Sequence, residues 1–334
     1  MRLLSGDSSM PINVSIVGLG KIGFQYDLNN RAQKLTHASA IQGDSRFRLT
    51  AGCDNNIESR NTFESSYGVP SFGTLKEMME FSSADVVVIA TETDMHLENI
   101  YEILAYDSVK LLLCEKPISR KIESLVSLKE FINRSKKQVL INYQRRTEMS
   151  ATVIRSEILT NVFGEFLGGS ALYSRGYFNN ASHIFDLIEW WFESKLDFAR
   201  LIRKSEKNGD FDVTLALQIR NRDFLLQVVP TTSTSILEIT LQFERAQIRY
   251  VSGGSAVYID YVQANDAYKG IGSIVTSGLP MFPGESLSMA SVYSDIYSKI
   301  NGGNSQLTSA VDAIDLVQRM QNFISEDWSA RVSN

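Results

Sequence analysis

Cysteine, proline and histidine are scarce in this sequence. Its 334 residues include two cysteines, six prolines and three histidines. Cys53 and Cys114 stand far apart, each at the end of an apolar run, which suggests neither a disulfide framework nor a metal cluster. No metal is therefore expected, and the cysteine usage fits a reducing cytoplasm.

Long apolar runs and an excess of positive charge are also absent. No window reaches the roughly 18 apolar residues of a membrane span, and residues 1–10 contain no apolar stretch of signal-peptide length. The 33 lysines and arginines face 38 aspartates and glutamates, so no broad basic surface exists for nucleic acid or an anionic membrane. The sequence predicts a cytoplasmic protein with a short disordered leader and with neither of those partners.

What is present is the composition of an ordinary globular protein. Hydrophobic residues make up 43% and charged residues 21%, and a chain of this length is comfortable for two domains. Strand-like and helix-like patterns alternate as far as Tyr143, which predicts a parallel, doubly wound α/β sheet. The predicted strands are residues 12–17, 47–53, 85–90, 109–114 and 138–143, and the predicted helices are residues 60–67, 75–81, 96–106 and 122–135.

After about residue 151 this alternation stops. Consecutive strand-like runs predict a large open antiparallel sheet, and Leu215, Leu217 and Ile219 indicate one buried face. Helices are predicted at residues 183–192 and 307–324. Residues 263–286 are rich in Gly, Ser and Pro and are predicted to form a long loop, which either reaches a neighbouring subunit, covers a ligand or is disordered. We therefore expect an α/β domain over residues 11–148 and an α+β domain over residues 149–334, with the C-terminal helix on either.

Three glycines follow the first predicted strand. Gly18, Gly20 and Gly23 form G-x-G-x-x-G, in which the first allows a tight turn, the second lets backbone approach a pyrophosphate, and the third lets helix and strand pack closely. The N–H groups of the helix that begins near Lys21 and Ile22 would face the anion. The motif predicts a dinucleotide site, with a purely structural glycine turn as the alternative.

A carboxylate, Asp54, ends the second predicted strand. It can accept hydrogen bonds from ribose hydroxyls and repels a 2′-phosphate, and the adjacent Asn55 offers no positive charge, although Arg60 lies nearby in sequence. NAD is therefore favoured over NADP. Asp54 stands 31 residues past Gly23 rather than about 20, which an insertion at residues 26–36 explains. A helix N-cap is the alternative role for Asp54.

Further candidate residues lie after the fourth and fifth predicted strands and in the second domain. Lys116, in the segment 114–117, is at the sheet edge where open α/β sheets bind ligands, although judged alone it is a surface residue. His183 begins a predicted helix and shares a face with Asp186, although a lone histidine is more often structural. Arg145 and Arg146 either hold an anionic substrate or cap the sheet against solvent.

Taken in order, these segments resemble the glucose-fructose oxidoreductase, inositol dehydrogenase and MocA family (Gfo/Idh/MocA) over nearly the whole chain. The resemblance implies a Rossmann domain that binds a nicotinamide dinucleotide and a substrate domain whose open antiparallel sheet forms homodimers or homotetramers. It also implies that a sugar, cyclitol or sugar nucleotide is oxidised or reduced. It is carried by residues 17–23, 53–54, 91–96, 114–117, 143–146, 163–165 and 182–186, followed by Trp190 and Trp191.

The same resemblance assigns roles to the candidate residues. Lys116 would be the active-site lysine and His183 the histidine that exchanges a proton with the substrate hydroxyl, the two meeting over the nicotinamide ring. A neutral imidazole can act as the base while an ammonium group stabilises the developing alkoxide. The expected substrate-binding residues are Asn179, Asp186, Arg145 and Arg146, and the expected cofactor-binding residues are Gly18, Gly20, Lys21, Ile22, Gly23, Asp54, Asn55, Thr91, His96 and Glu115.

The sequence also departs from the family pattern. Asn179 stands where many members have aspartate, Glu92 where proline is usual, and Asn142 where glycine is usual. Loss of the charge at position 179 retunes substrate choice, or marks a non-catalytic NAD- and sugar-sensing protein. An NAD-assisted glycoside hydrolase is the third hypothesis, beside the leading one of an NAD-dependent sugar oxidoreductase.

Overall fold

A computed structural model describes residues 10–120, 122–207, 209–231, 233–265, 267, 270–276, 278–283 and 289–325. These residues form two compact units, the first from segments 10–118, 126–142 and 289–305 and the second from segments 119–125, 143–283 and 306–325. The division therefore differs from the single boundary after residue 148 that the sequence suggests, because a later helical segment joins the first unit. Residues 1–9 of the expected leader lie outside the described residues.

The first unit alternates strands with helices, as predicted. Its elements up to residue 142 are β1 (Ile12–Val17), α1 (His37–Gln42), β2 (Phe47–Cys53), α2 (Ile57–Tyr67), β3 (Ser71–Phe72), α3 (Leu75–Phe81), β4 (Val86–Ile89), α4 (His96–Ile103), β5 (Leu111–Cys114), α5 (Leu125–Ser135) and β6 (Gln138–Ile141). A short π-helical turn covers Lys21–Gln25 and single 3-10 turns cover Arg31–Gln33 and Thr93–Met95.

These six strands form a parallel sheet in the order β6-β5-β4-β1-β2-β3. Every residue of β4 and β5 is buried, which explains why both strands are continuously apolar rather than alternating. The chain proceeds outward from β1 in both directions, so the sheet reverses its order between β1 and β4. In open α/β sheets, ligands bind beyond the carboxyl ends of the strands at such a point.

The first element of the second unit is the 3-10 turn Ile122–Ser124, and the unit continues after β6. The remaining elements are α6 (Met149–Leu159), β7 (Phe166–Tyr173), α7 (Ser182–Phe192), β8 (Asp197–Lys207), β9 (Asp210–Ile219), β10 (Arg222–Val228), β11 (Leu237–Phe243), β12 (Ala246–Val251), β13 (Ala256–Ala264), β14 (Gly272–Ile274), β15 (Phe282–Pro283), α8 (Met289–Ile300), β16 (Thr308–Ser309) and α9 (Ala310–Ile324). Of these, α8 belongs to the first unit. Neither α6 nor α8 was predicted from the sequence.

The second sheet has the strand order β14-β13-β12-β11-β7-β10-β9-β8, with β15 beside β13. Its pairs are antiparallel except β10 with β7, which are parallel. In β9 the residues Leu215, Leu217 and Ile219 are buried and their neighbours are not, so the predicted buried face is confirmed. The sequence reading of residues 263–286 as one long loop is wrong for its described part, because β14 pairs with β13 there and satisfies its backbone groups.

Helix α7 packs on the buried face of this sheet. The rings of Trp191 and Tyr250 lie 5.7 Å apart, and those of Phe192 and Phe166 4.7 Å apart. Aromatic pairs at these distances add to the apolar burial that fixes a helix on a sheet. This packing sets the position of His183 in the first turn of α7. None of the helices in the described part of the chain is both long and apolar enough to cross a membrane.

Candidate active site

The glycine turn after β1 has little space for side chains at two of its three positions. Gly18 has a φ of +95°, and a Cβ there would lie 2.5 Å from the carbonyl carbon of Ala90; a Cβ on Gly23 would lie 2.3 Å from the Gly18 oxygen. A Cβ on Gly20 would meet nothing within 4 Å. Gly18 and Gly23 are thus required by close backbone packing, whereas Gly20 leaves its backbone open to an approaching pyrophosphate.

Asp54 lies beside this turn. Its Oδ2 accepts a hydrogen bond from the Leu19 backbone N–H at 2.7 Å, and its Oδ1 accepts one from Asn56 N–H at 2.8 Å. The N-cap of α2 is Asn56, whose Oδ1 accepts from the Glu58 and Ser59 N–H groups, so the alternative reading of Asp54 as the N-cap is wrong. Because each carboxylate oxygen has two lone pairs, Asp54 can still accept from ribose hydroxyls.

Arg60 is close to the same strand end. Its Nη1 donates to the backbone oxygens of Asp54 at 2.7 Å and Asn55 at 3.2 Å. The guanidinium is therefore engaged by main chain, while the exposed Asn55 side chain brings no charge. The local charge beside the glycine turn is that of the Asp54 carboxylate and the Arg60 guanidinium together.

His96 joins the loops that follow β4 and β5. Its Nε2 is 3.1 Å from the Thr91 backbone oxygen and its Nδ1 is 3.0 Å from that of Pro117. The ring is 1% exposed, and burial lowers the pKa of His96 below its usual range. Asn99 Nδ2 donates to Thr91 Oγ1 at 3.2 Å. These contacts give His96 a structural part in holding the loops, alongside the cofactor contact that the sequence suggests.

A buried polar cluster surrounds Glu115, which precedes Lys116. Its Oε1 lies 3.0 Å from His37 Nε2 and accepts from Asn142 Nδ2 at 2.6 Å, and His37 Nδ1 lies 3.0 Å from the Tyr293 hydroxyl. Burial by itself raises the pKa of Glu115, but the hydrogen bonds from His37 and Asn142 and the charge of Lys116 outweigh it and lower the pKa. Glu115 is thus held as a carboxylate in a fixed orientation directly before Lys116.

Sequence reasoning missed His37. It is one of the three histidines, and all three are at least 95% buried. The insertion that displaces Asp54 along the sequence carries it: Asp27 accepts hydrogen bonds from Leu35 N–H at 2.7 Å and Thr36 N–H at 3.1 Å, which orders the segment that leads into α1. The position of His37 at the end of an insertion was the available signal.

In the second unit, His183 lies in the first turn of α7 and is 5% exposed. Its ring contacts Tyr143 edge to face, with centroids 5.6 Å apart. Asn179 belongs to the π-helical segment Tyr177–Ala181 that leads directly into α7, so it precedes His183 by about one turn. Asn179 Nδ2 donates to the Arg175 backbone oxygen at 3.0 Å, which fixes the side-chain amide.

Two of the expected substrate residues, Arg146 and Asp186, form an ion pair with each other. Arg146 donates to Asp186 through Nε at 2.8 Å and Nη2 at 2.7 Å, and Thr308 Oγ1 donates to Asp186 Oδ1 at 2.7 Å. Burial raises the pKa of Asp186 despite these partners. The neighbouring Arg145 donates to the Gly253 oxygen at 3.3 Å and is 8% exposed. Asp186, Arg145 and Arg146 therefore have structural partners inside the unit, and their contacts with a substrate stay a prediction.

Lys116 follows a strand of the first unit, and its bond to Pro117 is cis. The other candidates of this unit also follow its strands: Gly18, Gly20, Gly23, Asp54, Thr91 and Glu115. His183, Asn179 and the Arg146–Asp186 pair belong to the second unit. In the part of the chain that the structure describes, no three His, Cys, Asp or Glu side chains are grouped to hold a metal ion. Cys53 and Cys114 are buried free thiols, and burial raises the pKa of Cys53 to about 12.

The chain is similar to known proteins both in sequence and in fold. Residues 12–143 match the family model of the GFO_IDH_MocA oxidoreductase family, NAD-binding Rossmann fold. Over 131 residues the chain is 24% identical to glucose-6-phosphate 3-dehydrogenase of Bacillus subtilis (strain 168), a match that covers 39% of this chain and 36% of that protein. The matched part thus spans little more than a third of this relative's length.

Solved structures share the fold over almost the whole chain. The WlbA dehydrogenase from Chromobacterium violaceum, in complex with NADH and UDP-GlcNAcA, has a TM-score of 0.70 at 18% identity and covers 100% of this chain and 98% of its own. The transcriptional regulator Gal80p from Kluyveromyces lactis has a TM-score of 0.70 at 14% identity, with 96% and 90% covered. Residues 12–143, which carry the glycine turn and Asp54, are thus similar to the NAD-binding Rossmann domain of the Gfo/Idh/MocA oxidoreductase family.

Proposed function

We propose that the protein is an NAD-dependent oxidoreductase that exchanges a hydride with a hydroxyl-bearing carbon of a sugar, cyclitol or nucleotide sugar. The observation that carries the proposal is the open backbone at Gly20 beside the fixed Asp54 carboxylate. An exposed backbone turn accepts a pyrophosphate, and a carboxylate at the end of the next strand accepts ribose hydroxyls. The chain's own residues therefore fit a dinucleotide at the reversal point of the parallel sheet.

Asp54 favours NAD over NADP. A 2′-phosphate would bring negative charge against its carboxylate, whereas a free ribose hydroxyl can donate to it. The Arg60 Nη1 that could oppose this preference donates to main-chain oxygens. We expect NAD to bind more tightly than NADP.

The proposed chemistry needs a base and a stabilising cation. The bound nicotinamide supplies the hydride acceptor or donor. The Lys116 ammonium stabilises the negative charge that develops on the substrate oxygen, and Glu115, held by His37 and Asn142, keeps a carboxylate beside that lysine. His183 accepts the hydroxyl proton during oxidation and returns it during reduction.

Substitution of these two residues tests the proposal. We expect Lys116→Met and His183→Asn each to lower turnover by about a hundredfold or more while NAD binding, measured by calorimetry, remains. Turnover is followed by nicotinamide absorbance with a panel of sugars, cyclitols and nucleotide sugars. Lys76→Met, at an exposed lysine of α3, is the matched control. Unchanged turnover in both active-site variants would contradict the assigned roles.

A second candidate is a sensor that binds NAD and a sugar without turnover. It is favoured by Asn179, whose neutral amide is tied to Arg175, and by the shared fold with the Gal80p regulator. Stoichiometric NAD binding with no absorbance change for any substrate, and with identical behaviour of wild type and Lys116→Met, would select this candidate.

A further inference from the structure

A pocket of about 320 Å³ lies within the second unit, next to Asn179. Its volume is in the range of small-molecule sites. Three cationic side chains and two carboxylates line it, from Arg120, Arg175, Lys207, Asp210 and Asp212. The lining is therefore strongly charged, unlike a cavity left over from apolar packing.

Both carboxylates already have partners. Asp210 accepts from the backbone N–H groups of Phe178 and Asn179, each at 3.1 Å, and from Phe211 N–H at 2.7 Å. Asp212 is 6% exposed and lies 3.8 Å from Lys207 Nζ. Backbone dipoles and one lysine thus compensate the two negative charges.

The other two charged side chains of the pocket lining belong to arginines. Among the described residues, neither the Arg120 nor the Arg175 guanidinium forms a hydrogen bond or an ion pair, and both residues are exposed. Arg175 also has a φ of +67°, a left-handed conformation that costs a non-glycine residue about 1 kcal/mol or more. Uncommon backbone of this kind is found at ligand-binding positions more often than elsewhere. Two arginines therefore line the pocket, and among the described residues neither guanidinium is paired with an acid.

Asn179 leaves the same pocket less negative than an aspartate at this position would. An aspartate at this position would add a third carboxylate, beside that of Asp210, whereas the amide adds no charge. Asn179 precedes His183 by four residues on a continuous helical segment, about 6 Å along the axis. The pocket thus lies about one helical turn from the proposed proton acceptor.

We propose that this pocket binds an anionic substituent, a carboxylate or a phosphate, of the sugar substrate. The proposal rests on the proposed function for the identity of the ligand as a substrate. Guanidinium groups bind carboxylate and phosphate through paired, charge-assisted hydrogen bonds. Anion binding would also explain why position 179 is a neutral asparagine, because a carboxylate there would repel the negative charge of the ligand.

Calorimetric titration of the full chain tests the pocket directly. D-glucose, D-glucuronate and D-glucose 6-phosphate are titrated separately, with and without saturating NAD. We expect at least one of the two anionic sugars to bind about tenfold or more tightly than glucose, and this preference to weaken as salt is added. The tighter of the two anions identifies the group as carboxylate or phosphate.

Variants locate the binding. The double variant Arg120→Gln/Arg175→Asn should lose the preference for the anionic sugar, asparagine being chosen because it tolerates the left-handed conformation. Arg203→Gln is the matched control, at an exposed arginine of β8 in the same unit. Equal binding of all three sugars by wild type, or a preference that survives in the double variant, would overturn the inference.

The two proposals fail differently. If glucose and the anionic sugars reduce NAD equally well, and to the same extent in wild type and in the double variant, the oxidoreductase proposal stands and the anion pocket is rejected. If an anionic sugar binds through the two arginines but no nicotinamide is reduced, the pocket stands and the oxidoreductase proposal is rejected.

Discussion

Gly18 and Gly20 belong to one motif but differ in what a side chain would meet. At Gly18 a Cβ collides with the Ala90 backbone in a left-handed conformation, whereas at Gly20, with a φ of −94°, a Cβ meets open space. One glycine is therefore needed for folding, and the other for access to the backbone.

This difference predicts separate effects of two matched substitutions. We expect Gly18→Ala to lower the free energy of unfolding by about 2 kcal/mol or more, and Gly20→Ala to change it by less than about 1 kcal/mol while raising the Kd for NAD about tenfold. Urea unfolding and calorimetry measure the two quantities. Equal stability loss in both variants, or undiminished NAD affinity in Gly20→Ala, would argue against the assigned roles.

The placement of a candidate residue could be predicted from the sequence when it depends on residues nearby in the chain. The glycines, Asp54 and Lys116 each follow a strand, and strand ends can be inferred from local patterns. His37 and Asn142 were not identified as partners of Glu115, because the contacts join positions 78 and 27 residues apart. The pairing of Arg146 with Asp186 was not predicted either, because the two residues lie 40 positions apart in the sequence and local patterns carry no signal of it.

At the scale of elements, the Arg146–Asp186 pair joins the 3-10 turn Gln144–Thr147 to α7. Asp186 is 1% exposed and also accepts from Thr308. An isolated carboxylate in such a place is costly, because the charge loses its hydration. The pair therefore holds in place the helix that carries His183.

We predict that Arg146→Met lowers the free energy of unfolding by about 3–5 kcal/mol near neutral pH. Burial already raises the pKa of Asp186, and removal of the arginine raises it further, so the native state gains a proton and part of the lost stability as pH falls. Urea unfolding at several pH values measures this, with Arg146→Met/Asp186→Asn as the control that removes the pH dependence. If Arg146→Met lowers the free energy of unfolding by the same amount at every pH, the proposed protonation of Asp186 is wrong.

Elements with strong periodicity were predictable, and pairings between distant strands were not. Helix α3 has the predicted bounds, and α9 lies within the predicted range. Helix α6 was missed because apolar and polar residues mix along it, and the parallel pairing of β10 with β7 joins strands about 55 residues apart. Strand order depends on such long-range contacts, which local patterns do not encode.

At the scale of the whole molecule, the α/β and antiparallel-sheet architecture was predicted correctly, whereas a later segment, α8, belongs to the first unit.

Leu225 and Leu167 are exposed apolar residues of the second sheet. Association of copies through this sheet stays a prediction.

The central claim is that a hydride passes between a sugar carbon and a nicotinamide held by this protein. The most direct measurement uses sugars deuterated at their hydroxyl-bearing carbons, neutral and anionic, with NAD and the purified full chain, and mass spectrometry of the reduced nicotinamide. We predict deuterium in the nicotinamide for at least one sugar, appearing about a hundredfold or more slowly with Lys116→Met. Stoichiometric NAD binding with no deuterium transferred from any sugar would contradict it.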